Sequence, residues 1–134
     1  MSTKRPPRSD KRRPVDLAAC QITARRHEQD TARVLPGKLT PGSGSLGQPG
    51  DIDTILFLVE CKYHSGRAIE IRLDVLEKID REARAAGKTP LLALRFPDVK
   101  GGTPRDWVLG PIALAVSAIK AASRQADSAT ALKE

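Results

Sequence analysis

The chain has 134 residues and 40% hydrophobic content, which suits one domain around a single core, and no apolar run approaches the roughly 20 residues that a membrane span needs. Two cysteines (Cys20, Cys61) and two histidines (His27, His64) are too few for a disulfide framework or a zinc cluster. Any metal must then be held by oxygen, which points to Mg²⁺ or Mn²⁺. The net charge of +7 suggests a polyanionic partner; residues 1–14 hold six basic and one acidic residue, so +5 sits there and only +2 elsewhere.

That first segment, rich in Pro, Arg and Lys, predicts a basic arm that is disordered or extended over residues 1–14. It lacks the apolar stretch of a secretory signal, so a cytoplasmic protein is expected. From Val15 to Leu35 the spacing predicts a helix, with Leu17, Ile22, Ala24, Ala32 and Leu35 on one face and Pro36-Gly37 stopping it. Residues 36–50 hold five glycines and three prolines and read as a loop, with a short strand near Lys38–Thr40.

The next stretch, DIDTILFLVECKY, is rich in β-branched and apolar residues and reads as strands. Residues 71–86 form an amphipathic helix with Leu73, Leu76, Ile79, Ala83 and Ala86 inward and Gly87 at its C-terminal cap. TPLLALRF is a short apolar run that reads as a buried strand. Asp106–Leu109 is a last strand and Pro111–Ala122 a last helix, followed by a polar tail over 123–134. The expected domain covers residues 15–122 and belongs to the α/β class, one mixed sheet flanked by helices.

The sharpest chemical signal is Asp51 followed by Glu60-Cys61-Lys62. On a strand, Glu60 and Lys62 share one face while Val59 and Cys61 take the other, core-directed one. On a single continuous strand Asp51 and Glu60 would stand roughly 30 Å apart, too far for one ion. A reversal near Ile55-Leu56 sets Asp51 opposite Glu60 and Ile52 opposite Val59, so that two carboxylates can share one hard cation. Ile55-Leu56 is poor turn chemistry, which leaves the register open by one residue and lets Asp53 compete with Asp51. Alone, Glu60 and Lys62 would read as an exposed ion pair.

With Glu28 on the first helix and serines in the glycine loop, the stretch RHEQDTARVLPGKLTPGSGSLGQPGDIDTILFLVECKY resembles archaeal-type and phage Holliday junction resolvases of the PD-(D/E)-x-K nuclease superfamily. The downstream EKIDREARAAGKTPLLALRF resembles their helix–strand segment, and the likeness spans roughly residues 24–109. The family's Pro-Asp is here Gly50-Asp51, the Asp51–Glu60 interval is short, and the basic arm is extra.

The resemblance implies a restriction-endonuclease-like fold and a magnesium-dependent endonuclease (Mn²⁺ substituting) that resolves four-way DNA junctions by paired nicks as a homodimer. It implies Asp51 and Glu60 as metal ligands, the Cys61 backbone carbonyl as a third, and Glu28 acting through water. Lys62 would be the catalytic lysine, Ser43 or Ser45 would lie near the phosphate, and Lys38 would contact DNA. Arg67 and Arg72 are further phosphate contacts by their place after the E-x-K strand. The source is then a prokaryote, or a phage acting in its host's cytoplasm. Rival expectations are a nuclease of the same superfamily acting on flaps, single strands or a duplex site, and a non-catalytic DNA-binding protein of the same fold.

Among the remaining residues, His27 is expected at the surface and His64 as a minor candidate for DNA contact. Trp107 is expected in core or dimer packing, and Cys20 and Cys61 as small buried residues. The dimer surface is expected at Ile69–Ile71, at Phe96 or on the Trp107 strand.

Overall fold

A computed structural model describes residues 17–42, 49–97, 101–102 and 104–133; the expected basic arm lies outside them, as do the side chains of Leu17, Ala18 and Cys20. The elements run α1 (Leu17–Val34), β1 (Lys38–Leu39), β2 (Ile52–Asp53), β3 (Phe57–Tyr63), α2 (Leu73–Ala85), β4 (Thr89–Arg95), β5 (Asp106–Leu109) and α3 (Ile112–Ala131). This is the predicted order. The five strands form one sheet in sequence order, antiparallel throughout except for the parallel pair β3–β4, which α2 connects.

β4 is the centre of the fold because its sequence has nothing to keep it at the surface. From Pro90 to Arg95 every residue is buried, as expected of a strand covered on both faces. Alternation along β3 and β4 sends Ile52, Val59, Leu91 and Ala93 to the α1 side, joined by Ala32, Leu35 and Cys61. Leu92 and Leu94 face the other side, where Ile79 and Leu76 of α2 meet Ile69, Ile71 and Phe96. Of the expected inward positions of α2, Leu73 and Ala86 stand exposed. Gly87 takes a positive φ of 69° and closes the helix as predicted.

Three expectations are corrected. Ile22 is 71% exposed, so it is not part of the inward face of α1. α3 does not end at Ala122 but runs on to Ala131. A polar tail is no stop signal when it lacks Gly and Pro: alanines favour the helix, and Ser123, Ser128 and Thr130 donate their hydroxyls back to carbonyls four residues earlier.

The third correction is His27, which is 1% exposed rather than superficial. Its Nε2 donates to the Ala93 carbonyl of β4 (3.1 Å), and Thr31 Oγ1 donates to Nδ1 (3.2 Å). α1 is thus fastened to the middle of the sheet by a neutral ring. Beside it, Arg95 spans α1 and β5, forking onto Asp106 (2.6 and 2.7 Å) and reaching Asp30 (2.8 Å). No helix among the described residues is long and apolar enough to cross a membrane.

Burial lowers the His27 pKa below the ordinary 6.5, with the Ala93 carbonyl opposing. A folded pKa below the unfolded one means that the stability contributed by the neutral ring is complete above about pH 6.5 and is lost as pH falls towards the folded value. Melting temperature should therefore drop on going from about pH 7 to pH 5, and His27→Gln should flatten that slope. Thermal melts across this range check it. Asp30 and Asp106, both lowered from 3.8 chiefly by Arg95, act only in more acid solution.

Candidate active site

The site begins with a turn. Ile55-Leu56 is poor turn sequence, yet the chain reverses there tightly because Thr54 supplies what the turn residues lack. Thr54 N–H donates to the Phe57 carbonyl (3.0 Å), and Phe57 N–H donates to the Thr54 hydroxyl oxygen (2.8 Å). The Thr54 carbonyl accepts from Lys88 Nζ (2.6 Å), which also pairs with Asp53. The register follows: Ile52 stands against Val59 and Asp53 against Leu58. Burial of both Ile52 and Val59 selects it.

This arrangement settles the neighbours of Asp51. Its N–H donates to the Val59 carbonyl (2.8 Å), and its Oδ2 accepts from the Cys61 N–H (2.7 Å). The carboxylate is held beside Glu60, while Asp53 is drawn off by Lys88. Glu60 Oε1 in turn accepts from Lys62 Nζ at 2.7 Å, the Glu60 side chain 15% exposed and that of Lys62 42%. The face they share is not the open one expected: it continues into Leu58, Leu92 and Leu94 under α2, so the pair sits at the rim of a core.

Glu28, half-buried on α1, lies near enough to Asp51 and Glu60 to feel their charges. Burial raises its pKa above the ordinary 4.5, and the charges of Asp51 and Glu60 raise it further. The Cys61 thiol is pushed up to about 12, first by burial and then by Asp51, Glu28 and Glu60. It stays protonated, so the peptide carbonyl rather than the sulfur is what this residue offers a hard cation. His27, one residue before Glu28, fixes the helix that carries it.

Gly50 holds a backbone conformation closed to proline: its φ is +67°, and an added Cβ would lie 2.8 Å from Leu58 Cγ and Cδ1. Gly50→Ala should cost about 2 kcal/mol through strain and overpacking. It should also displace Asp51. Urea unfolding, read together with divalent-ion affinity, checks both effects.

The other predicted residues are scattered. Lys38 is exposed on β1, its Cα paired with Asp53 rather than near Glu60. Arg67 is exposed, and Arg72, also exposed, pairs with Asp74 (3.0 Å) at the start of α2. His64 is exposed and accepts the Gly66 N–H on Nδ1 (2.8 Å), a local turn contact. Ser43 and Ser45 lie outside the described residues. Thr54, Gly50 and His27 were missed as supports of the site. Only Gly50 left a sequence signal, a glycine directly before the acid.

A divalent ion fits this donor set by its chemistry. Asp51, Glu60 and the Cys61 carbonyl are all hard oxygen donors, and the mutual charge of the three acids is what a cation relieves. Among the described residues no three His, Cys, Asp or Glu side chains form a ready cage. Mg²⁺ asks for less, being held by one or two carboxylates with water and phosphate completing its shell. Comparison with protein-family models, with curated proteins and with solved structures gave no match.

Proposed function

We propose that this chain is a metal-dependent DNA endonuclease of the PD-(D/E)-x-K type, with a restriction-endonuclease-like form of the α/β fold, cutting four-way junctions as a homodimer. One observation carries the reading: the Asp51 carboxylate accepts from the N–H of Cys61, the residue between Glu60 and Lys62, although eight residues separate the two acids in sequence, and Lys62 in turn pairs with Glu60.

Asp51 and Glu60 would hold Mg²⁺, or Mn²⁺ in its place, with the Cys61 carbonyl, and Glu28 would act through water. Bound there, the ion supplies Lewis acidity towards the scissile phosphate and its attacking water. Lys62 orients that water and offsets the charge that grows on the phosphate. Burial and the charges of Asp51 and Glu60 raise the Glu28 carboxyl above the ordinary value, and a cation bound beside them would oppose that shift. The positive charge of the chain, concentrated in residues 1–14, favours a polyanion. Lys38, Arg67 and Arg72 are the phosphate contacts this reading assigns, with Ser43 or Ser45 beside the scissile group. The setting it implies is a prokaryotic or phage-infected cytoplasm.

The experiment compares labelled four-way junction, flap, linear duplex and single strand in Mg²⁺. Symmetric nicks in the junction alone support a resolvase. Cleavage of another form moves the substrate within the same superfamily. Binding with no cleavage in Mg²⁺ or Mn²⁺ replaces the enzyme with a DNA-binding protein.

A further inference from the structure

In the sheet order β1-β2-β3-β4-β5 the last strand has β4 on one side and, among the described residues, nothing on the other. Natural sheets guard such an edge with charge, proline or a bulge, because its open peptide groups recruit another strand. β5 has little guard. Its one charge, Asp106, is turned against Arg95, and from Trp107 to Ile119 no residue is charged, in a chain that is 29% charged.

The same stretch exposes large apolar side chains. Trp107, Val108 and Leu109 of β5 and Ile112, Val116 and Ile119 of α3 are each between 39% and 83% exposed. The three on β5 stand in consecutive positions along the open edge, where a second strand would cover them. α3 has no buried residue, and its packing on the core comes through the partly buried Leu114. An uncharged strip offers a nucleic-acid backbone nothing. It is suited to protein.

Backbone parity supplies the register. The Phe96 N–H donates to the Arg105 carbonyl (2.9 Å), so odd-numbered residues of β5 turn their peptide groups towards β4, and Asp106 and Val108 turn theirs outward. We propose that β5 pairs antiparallel with β5 of a second copy about a two-fold axis at Val108, joining two five-stranded sheets into one of ten. Val108 then exchanges both peptide hydrogen bonds with its counterpart, and Asp106 with the partner's Gly110. Pro111, which has no N–H, is not asked to donate. Trp107 lies across from the partner's Leu109 on one face, twice by symmetry, and the two Val108 side chains meet on the other. An axis through Trp107 would instead oppose Asp106 to Val108 and Leu109 to Arg105. The Val108 axis is the one that covers three apolar residues.

The inference deepens the pairing of copies that the resolvase reading calls for, but its test reads mass and not cleavage, so either can fail alone. By sedimentation equilibrium the full chain should be a dimer at micromolar concentration. Val108→Lys and Val108→Glu each set like charges on the axis and should weaken dimerisation by about a hundredfold, and an equimolar mixture of the two should recover at least about tenfold of the loss. Val108 is exposed in the single copy, so both variants should keep the wild-type circular dichroism. A wild type that stays monomeric, variants that remain dimeric, or a mixture no tighter than its components would each overturn the proposal.

Discussion

Lys62→Ala should lower the rate of strand cleavage by about a thousandfold while leaving junction affinity and fold nearly unchanged. Two facts separate chemistry from structure at this position. The Lys62–Glu60 contact is short, 2.7 Å, but the lysine is 42% exposed, and an ion pair this wet contributes no more than about 1 kcal/mol. Loss of the amine therefore leaves the sheet standing. What disappears is a positive charge beside the two carboxylates, where charge would grow on a phosphate in the transition state.

Lys62→Arg should recover little, because a guanidinium would still pair with Glu60 but spreads its charge over a larger planar group and cannot present the compact ammonium at the same point. Single-turnover cleavage measures the rate, anisotropy of labelled junction measures affinity, and a thermal melt confirms the fold. If cleavage in Mg²⁺ survives the substitution at the wild-type rate, Lys62 has no part in the reaction.

How much of this was legible in sequence depends on the range over which each feature is decided. The hairpin register could be read to within one residue, with Asp53 left competing with Asp51; burial of both Ile52 and Val59 selects the pairing that sets Asp51 against Glu60. β4 was legible as an uninterrupted apolar run, and α2 from its inward stripe and Gly87. The tightness of the turn was not. It depends on the Thr54 hydroxyl and on Lys88, an amine 34 residues away.

His27 shows the same limit more sharply. In RRHEQD it looks like one more surface residue, and its burial is decided by the Ala93 carbonyl, 66 residues on. Ile22 errs the other way, an apolar residue on the helix periodicity that meets no neighbour to bury it. α3 shows that a change of composition is not a stop signal.

Arg95→Ala should destabilise the fold by about 3 kcal/mol, a melting-temperature loss on the order of 10 °C in a domain of this size. The side chain is 5% exposed and binds three carboxylate oxygens, two of Asp106 and one of Asp30. Truncation removes a bidentate fork and the buried stem behind it, and leaves a cavity between α1 and β5. The aspartates limit the damage. Both are partly exposed and can be rehydrated, which keeps the cost at the lower end for a broken buried pair.

Arg95→Lys should lose roughly half as much, since one ammonium cannot fork. The acid limb carries a second signature. Arg95 holds both aspartates below 3.8, so their stabilisation is complete above about pH 3.8 and is lost as pH falls through the folded values. In Arg95→Ala that loss should vanish, and the acid limbs of variant and wild type should converge. Because Asp30 lies two residues from Glu28 on α1, slackening there should reach the acid cluster and weaken divalent-ion binding without any ligand being touched. A variant that melts with the wild type at neutral pH would mean that α1 is held by His27 and packing alone.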